Sequence, residues 1–298
     1  MRANGSLLSP KTKGLSKLPC PLCDLAISSG TSCTRCFAPA EVIRSIVTRD
    51  RPPRFVGVLG PTNVGKTVYL GMLLDLLSRG AGGLYGVAHG AFSLEMHRNL
   101  ILSLERQRFP AKTPNEPDRW HWVHCQISGG KKGPECDIVT PDVAGEVVAA
   151  ELANPRSHPT VRALIGKCSA LIVLADILQV VAEGQGQELF AMQLIAYLDS
   201  LRFSAKRGRV EVPVAIVFTK ADLCEETIDD PAGFARSNAP GLWRLCDARL
   251  ARFRFFASGV AGSAAKLVDR DGHESLVPLR VEPRGIIDPL AWLLAQNF

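Results

Sequence analysis

Gly60-Pro61-Thr62-Asn63-Val64-Gly65-Lys66-Thr67 is the stretch on which the reading of this chain turns. It fits G-x-x-x-x-G-K-[ST], with a short apolar run at 55–59 before it and an apolar-periodic segment at 67–77 after it. Strand, glycine-bearing turn and helix in that order form a phosphate loop. The glycines let the backbone curl so that successive N–H groups point inward, and the helix N-terminus adds positive potential. Gly60, Thr62, Asn63, Val64, Gly65, Lys66, Thr67 and Val68 are the expected phosphate-binding residues. Lys66 would reach the β- and γ-phosphate oxygens, and the Thr67 hydroxyl would coordinate Mg²⁺.

Outward from this loop, apolar runs alternate with helical periodicity. Residues 88–107 read as a helix, 120–127 and 137–139 as strands, and 170–174 as a buried strand. Further on, 188–203 is helical by period, 212–218 is a second buried strand, and 242–250, 252–257 and 286–294 read as helix, strand and helix. Alternation of this kind predicts an α/β fold with a mostly parallel sheet covered on both faces. The 298 residues suffice for one such domain and a small appendage. The longest apolar stretch, 163–182, is broken by Lys167 and Asp176, which argues against a membrane-spanning helix. Lys11, Lys13 and Lys17 precede no apolar core of the secretory kind.

Two later motifs complete a nucleotide site. Asp137-Ile-Val-Thr-Pro-Asp142-Val-Ala-Gly145-Glu146 ends an apolar strand in Asp-x-Ala-Gly, which would bring the Asp142 carboxylate near Mg²⁺, chiefly through a metal-bound water. Gly145 would offer its N–H to a γ-phosphate, where any side chain would block the approach of the backbone. Phe218-Thr219-Lys220-Ala221-Asp222 follows at the end of a buried strand. The Asp222 carboxylate could accept hydrogen bonds from N1–H and the exocyclic amine of guanine, a pair that adenine cannot offer. The Lys220 stem could lie over the purine ring.

Nine cysteines divide into a cluster and five scattered thiols. Cys20-Pro-Leu-Cys23 and Cys33-Thr-Arg-Cys36 are two Cys-x-x-Cys knuckles that could hold a structural Zn²⁺ with four thiolates. Paired disulfides or a redox dithiol are the alternatives. An odd cysteine count with one metal site suits a reducing compartment, hence a cytoplasmic protein. Net charge is +6, concentrated before the phosphate loop, so the N-terminal arm could meet nucleic acid, acidic lipid or an acidic protein, or be a solvated tail. The expected organisation is a flexible basic tail at 1–17, a zinc-ribbon-like module at 18–38, a linker at 39–53 and a nucleotide-binding domain at 54–298.

The phosphate loop, Asp142-Val-Ala-Gly145, Thr219-Lys-Ala-Asp222 and the later Phe256-Ala257-Ser258 occur in the order seen in P-loop GTPases, and 54–298 resembles a Ras-like GTPase domain of the translation-factor-related class. Gly65-Lys-Thr-Val-Tyr-Leu, the Asp-x-Ala-Gly-Glu form and the closing Ile287-Asp-Pro-Leu-Ala-Trp292 are similar to the bacterial double-GTPase families of GTPase-associated conflict systems. The resemblance implies a switch that binds GTP and GDP with Mg²⁺, read by protein partners through its switch segments or zinc module. It also implies that Ala257 and Ser258 contact guanine O6, and that Thr113 is a switch threonine for Mg²⁺ and γ-phosphate; the other reading of Thr113 is an ordinary loop threonine. Lys66, Gly145 and Glu146 would form the catalytic set. Two positions depart from the pattern: Thr219 stands where the base motif has Asn, and Glu146 where Ras-like enzymes have the Gln that orients water. A carboxylate beside a γ-phosphate is unfavourable unless protonated or turned away, so hydrolysis should be slow or partner-assisted. Arg106, Arg108 and Arg119 are the arginines that could act in cis.

Overall fold

In the computed structural model, residues 17–48, 53–110, 112–129, 135–183, 186–201, 208–224, 226–268 and 274–296 are described. Most of the basic tail read at 1–17, with Arg2, Lys11 and Lys13, therefore lies outside the described residues, as do 49–52 of the linker. The chain opens with two short antiparallel strands, β1 (Lys17–Pro19) and β2 (Ala26–Ser28), followed by helix α1 (Ala40–Val47). Then come β3 (Arg54–Leu59), α2 (Lys66–Ser78), β4 (Tyr85–His89), α3 (Gly90–Glu105), β5 (Trp122–Ser128) and β6 (Glu135–Pro141). The middle third holds α4 (Gly145–Ala153), α5 (Pro159–Lys167), β7 (Ala170–Asp176), α6 (Ile177–Glu183), α7 (Gly186–Leu201) and β8 (Val214–Thr219). The last part holds α8 (Glu226–Asp229), α9 (Pro231–Asn238), α10 (Pro240–Arg249), β9 (Phe253–Ala257), β10 (Gly259–Val268), β11 (Glu274–Arg284) and α11 (Asp288–Ala295).

Seven strands form the central sheet in the order β4-β5-β6-β3-β7-β8-β9. Only β5 runs against its neighbours, and the other contacts are parallel, as the alternating pattern predicts. Because side chains alternate along a strand, each apolar run feeds two cores. Ala170, Ile172 and Leu174 of β7 point to the face covered by α2, α3 and α11. Leu171, Val173 and Ala175 point to the face covered by α4, α5, α7 and α10. The parallel strands thus end on one edge, where β3, β6, β7, β8 and β9 deliver the loops of the site.

The four-cysteine module is not a separate bead. Leu22, between the first two cysteines, is buried and shares an apolar gap with Phe55 of β3 and Val161, Leu164 and Ile165 of α5. Burying a leucine in this way contributes about 1.5–3 kcal/mol. Val42, Ile43 and Ile46 of α1 join the same core. Polar links add register: Lys167 pairs with Asp24 at 2.7 Å, Thr160 Oγ1 donates to the Arg35 carbonyl at 2.6 Å, and Ser45 Oγ lies 2.9 Å from His124 Nδ1.

Two elements depart from the pattern read in the sequence. The helix read at 88–107 starts only at Gly90, because 85–89 pairs with β5 as an added edge strand. Between β9 and α11 an antiparallel ribbon, β10–β11, occupies a stretch with no strand signal. Gly259-Val-Ala-Gly-Ser-Ala-Ala has too few large apolar side chains to show alternation, and its ladder depends on the partner strand.

Candidate nucleotide site and four-cysteine centre

The phosphate loop leaves β3 at Leu59 and enters α2 at Lys66. Its turn needs left-handed backbone at Asn63 (φ +63°) and Gly65 (φ +94°), which asparagine and glycine tolerate. Gly60 sits behind the loop, where a Cβ would come within 2.8 Å of Val64 Cγ1. The buried Lys66 ammonium donates to the carbonyls of Gly60 and Pro61 at 3.1 and 3.0 Å, and burial lowers its pKa to about 8. Residues from Thr62 to Val68 wall one end of a cavity of about 330 Å³.

Thr67, Thr113 and Asp142, assigned from three distant parts of the chain, meet beside Lys66. Both hydroxyls donate to Asp142 Oδ2 at 2.8 Å, and the two oxygens lie 2.9 Å apart. Burial raises the Asp142 pKa, and its Oδ1 is buried with no hydrogen-bond partner among the described residues. Three hard oxygens on one point, with a buried carboxylate oxygen left over, fit a divalent cation of the Mg²⁺ kind. Gly145 lines the cavity with its Cα against the phosphate loop: a Cβ there would stand 2.5 Å from Pro61 C and Thr62 N. The expected steric need for glycine is present, although the group it clears is the loop's own backbone.

Glu146 is exposed and is not part of the cavity wall. Lys112 pairs with its Oε1, and Asn115 Nδ2 donates to Oε2 at 2.7 Å. These hydrogen bonds hold the Glu146 carboxyl below its ordinary pKa. Arg106, Arg108 and Arg119 are exposed and absent from the cavity wall, whereas Lys112 is part of it. No sequence pattern marked Lys112; only its place beside Thr113 could have drawn attention to it.

At the other end of the cavity stand Thr219, Lys220 and Asp222. Thr219 Oγ1 donates to the Val64 carbonyl at 2.9 Å, tying this loop to the phosphate loop with a hydroxyl where the resemblance leads one to expect an amide. Lys220 adopts φ +61° and pairs with Asp176, a residue overlooked in the sequence although it is the one charge closing the apolar run of β7. Asp222 is half-buried, and desolvation raises its pKa against hydrogen bonds from backbone N–H groups, Val260 among them. It lies against Gly259, where a Cβ would meet Asp222 Oδ1 at 2.7 Å.

Ala257 and Ser258, assigned together in the sequence, stand differently toward the cavity. Ala257 belongs to β9, paired with Phe218, and does not line the cavity; the Ser258 N–H is spent on the Phe218 carbonyl at 2.8 Å. The strand ends at Ala257, as read in the sequence, and the wall beside Asp222 is formed by the residues after it, Ser258, Gly259 and Val260.

Away from this cavity, the sulfurs of Cys20, Cys23, Cys33 and Cys36 all lie within 4.8 Å of one another, and all four residues are buried. Each knuckle is built alike. Asp24 and Phe37, the residues after the second cysteine, have positive φ and donate their N–H groups to the carbonyls of Cys20 and Cys33 at 2.9 and 3.0 Å. The closest sulfur pairs are 3.6 and 3.5 Å apart, and four sulfurs held tetrahedrally at about 2.3 Å from zinc would be separated by roughly 3.8 Å. Backbone N–H groups of Leu22, Cys23, Leu25 and Ala38 favour thiolates here. Hydrogen bonding from Cys36 pulls Cys20 down to about 5, whereas burial pushes Cys23 up to about 11 and the Cys20 contact raises Cys36. Crowded buried thiols that cannot all ionise alone would do so around a dication. The set fits zinc.

Sheet order, phosphate loop and the carboxylate opposite it define a P-loop protein of the GTPase class. More narrowly, the chain belongs to the Double-GTPase 2 family, which its residues 54–267 match. No curated protein matches the chain. Among solved structures, the S. cerevisiae Ski7 GTPase-like domain bound to GDP and inorganic phosphate aligns at 14% identity and TM-score 0.45 over 86% of this chain. This chain spans only 52% of the Ski7 chain. An Encephalitozoon cuniculi Sar1-type GTP-binding protein in complex with GDP aligns at 15% identity and TM-score 0.33, over 69% of this chain and 68% of that one. The Chaetomium thermophilum SRb-GTP/SRX complex aligns at 16% identity and TM-score 0.35, over 72% and 93%. No helix among the described residues is long and apolar enough to cross a membrane.

Proposed function

We propose that this protein is a Mg²⁺-dependent GTP switch with slow or partner-stimulated hydrolysis. One observation carries the reading: a single cavity is lined by the phosphate loop, by Thr67 and Thr113, which both bond Asp142, and by Asp222. In this reading, loop N–H groups and Lys66 hold the phosphates, and Asp222 selects guanine by accepting from N1–H and the 2-amino group. Lys220 flanks the base, and the backbone beside Ser258 replaces the O6 contact first assigned to Ala257. When bound through Thr67, Thr113 and Asp142, Mg²⁺ would neutralise charge on the β- and γ-phosphate oxygens. Loss of the γ-phosphate would release the segments at Thr113 and Gly145, the second of which already touches the loop backbone. The zinc centre, with no open ligand position, serves as a structural part of the surface offered to protein partners. The family resemblance suggests a bacterial conflict system in the cytoplasm as its setting.

Competition of labelled GTP against ATP, GTP and xanthosine triphosphate tests this. Wild type should prefer GTP over ATP by a wide margin. Asp222→Asn should weaken GTP binding by about 2–4 kcal/mol and improve binding of xanthosine triphosphate, whose C2 carbonyl an amide can meet. Equal binding of ATP and GTP by wild type would leave a generic P-loop nucleotide-binding protein, ATPases included. A second reading, a nucleotide-gated scaffold without turnover, is favoured by the engagement of Glu146 with Lys112 and Asn115. Single-turnover hydrolysis with and without cell extract separates the two.

A further inference from the structure

We infer that Lys112 is a second cation, beside Lys66, that meets the γ-phosphoryl group, and that Glu146 is a positioning residue that holds Lys112 ready. This rests on the GTP-switch reading and adds to it a residue that no motif assigns. Three lysines wall the cavity: Lys66, Lys112 and Lys220. Lys220 is paired with Asp176 at the end where Asp222 stands. Lys66 is buried and donates to the Gly60 and Pro61 carbonyls of the phosphate loop. Lys112 is the most exposed of the three and stands next to Thr113, whose hydroxyl is 2.8 Å from Asp142. The residue after it is therefore anchored at the expected metal point, while the Lys112 ammonium is held by an exposed ion pair with Glu146.

The partner it holds is informative. Glu146 binds residues on both sides of Thr113 through separate oxygens, Lys112 through Oε1 and Asn115 through Oε2. Glu146 directly follows Gly145, which rests on the loop backbone. A carboxylate committed to two donors is poorly placed as a base toward water. It is well placed to fix the segment around Thr113 and to keep a cation near the site. The side chains of Lys112 and Glu146 are 53% and 44% exposed, so the pair is worth little free energy. A weak pair is easily exchanged: a terminal phosphoryl group carries more charge than one carboxylate and can draw the ammonium away, whereas GDP lacks the group that reaches it.

In hydrolysis the water oxygen forms a bond to the terminal phosphorus, and the bond from phosphorus to the bridging oxygen breaks with its electron pair left on GDP. The proton released from water passes to phosphate and solvent. Lys112 keeps its own protons throughout and donates hydrogen bonds to the phosphoryl oxygens as negative charge shifts toward GDP.

The test measures GTP and GDP affinity and single-turnover GTP hydrolysis in the full chain with Mg²⁺. Lys112→Met should lower the rate and the GTP-over-GDP preference by about 10-fold each, with GDP affinity held within about twofold. Lys112→Arg should keep the preference. Glu146→Gln should raise the preference by about threefold, because Lys112 is released, and that gain should vanish in the Lys112→Met background. A Lys112→Met protein with wild-type rate and preference would overturn the inference, as would an equal loss of GTP and GDP binding. If wild type itself fails to prefer GTP over ATP, the switch reading falls instead.

Discussion

The four-cysteine centre and the phosphate end of the cavity are both gatherings of ligand atoms, yet they are built on opposite terms. The four sulfurs come from two knuckles within 17 residues, from Cys20 to Cys36, are all buried, and back onto an apolar core. Thr67, Thr113 and Asp142 come from a helix, a loop and the residue after a strand, and the two threonines, bonded to Asp142, line a cavity large enough for a small molecule. A closed set of soft ligands holds its ion for stability, whereas an open set of hard oxygens can exchange what it holds. Position in the sheet follows the same division. Leu22 backs the cysteine module onto the opening of β3 and the close of α5, while the phosphate loop leaves the other end of β3.

Three experiments would break or sharpen this contrast. The largest effect should come from Cys20→Ser combined with Cys23→Ser. Metal analysis should fall from about one zinc per chain to none, and the melting temperature should drop by about 10 °C, since four-thiolate zinc supplies folding energy outright. GTP affinity measured well below that melting point should stay within about threefold of wild type. A parallel loss of nucleotide binding would mean that the two sites are one cooperative unit.

Gly145→Ala should act in the opposite sense. The new Cβ would press on Pro61 C and Thr62 N, both 2.5 Å away and both backbone. GTP affinity should fall by about 100-fold, close to 3 kcal/mol, while zinc content stays unchanged. Wild-type affinity in this variant would show that the segment after Asp142 yields freely and does not report on the loop.

The smallest effect is expected of Thr219→Val. It removes the hydroxyl donated to the Val64 carbonyl at 2.9 Å and leaves a shape of similar volume. Isothermal titration should show guanine-nucleotide binding weaker by about 1 kcal/mol, the worth of one buried hydrogen bond. No change would mean that the base loop and the phosphate loop are held in register by the sheet alone.

How legible these features were in the sequence depended on how local each is. The phosphate loop, the Asp-x-Ala-Gly turn, the two knuckles and the β7 and β8 runs are continuous stretches whose spacing carries their geometry, and each stands where it was read. The edge strand β4 and the β10–β11 ribbon were not visible, because their pairing partners, rather than their own periodicity, make them strands. Ala257 was read with Ser258 as one contact loop, but it closes the β9 ladder opposite Phe218, and only pairing across strands shows that.

The sequence by itself determined the α/β alternation, the phosphate loop, the Thr-Lys-Ala-Asp turn after β8 and a four-thiol set, since each is encoded by residues a few positions apart. Only the tertiary structure decided that Thr113 meets Thr67 and Asp142, and that Glu146 faces Lys112 and Asn115. It also decided that Leu22 fastens the cysteine module to β3 and α5. These contacts join segments 29 to 46 residues apart, or more than a hundred between Leu22 and α5, and sequence spacing says nothing of such distances until the sheet has brought the strand ends together.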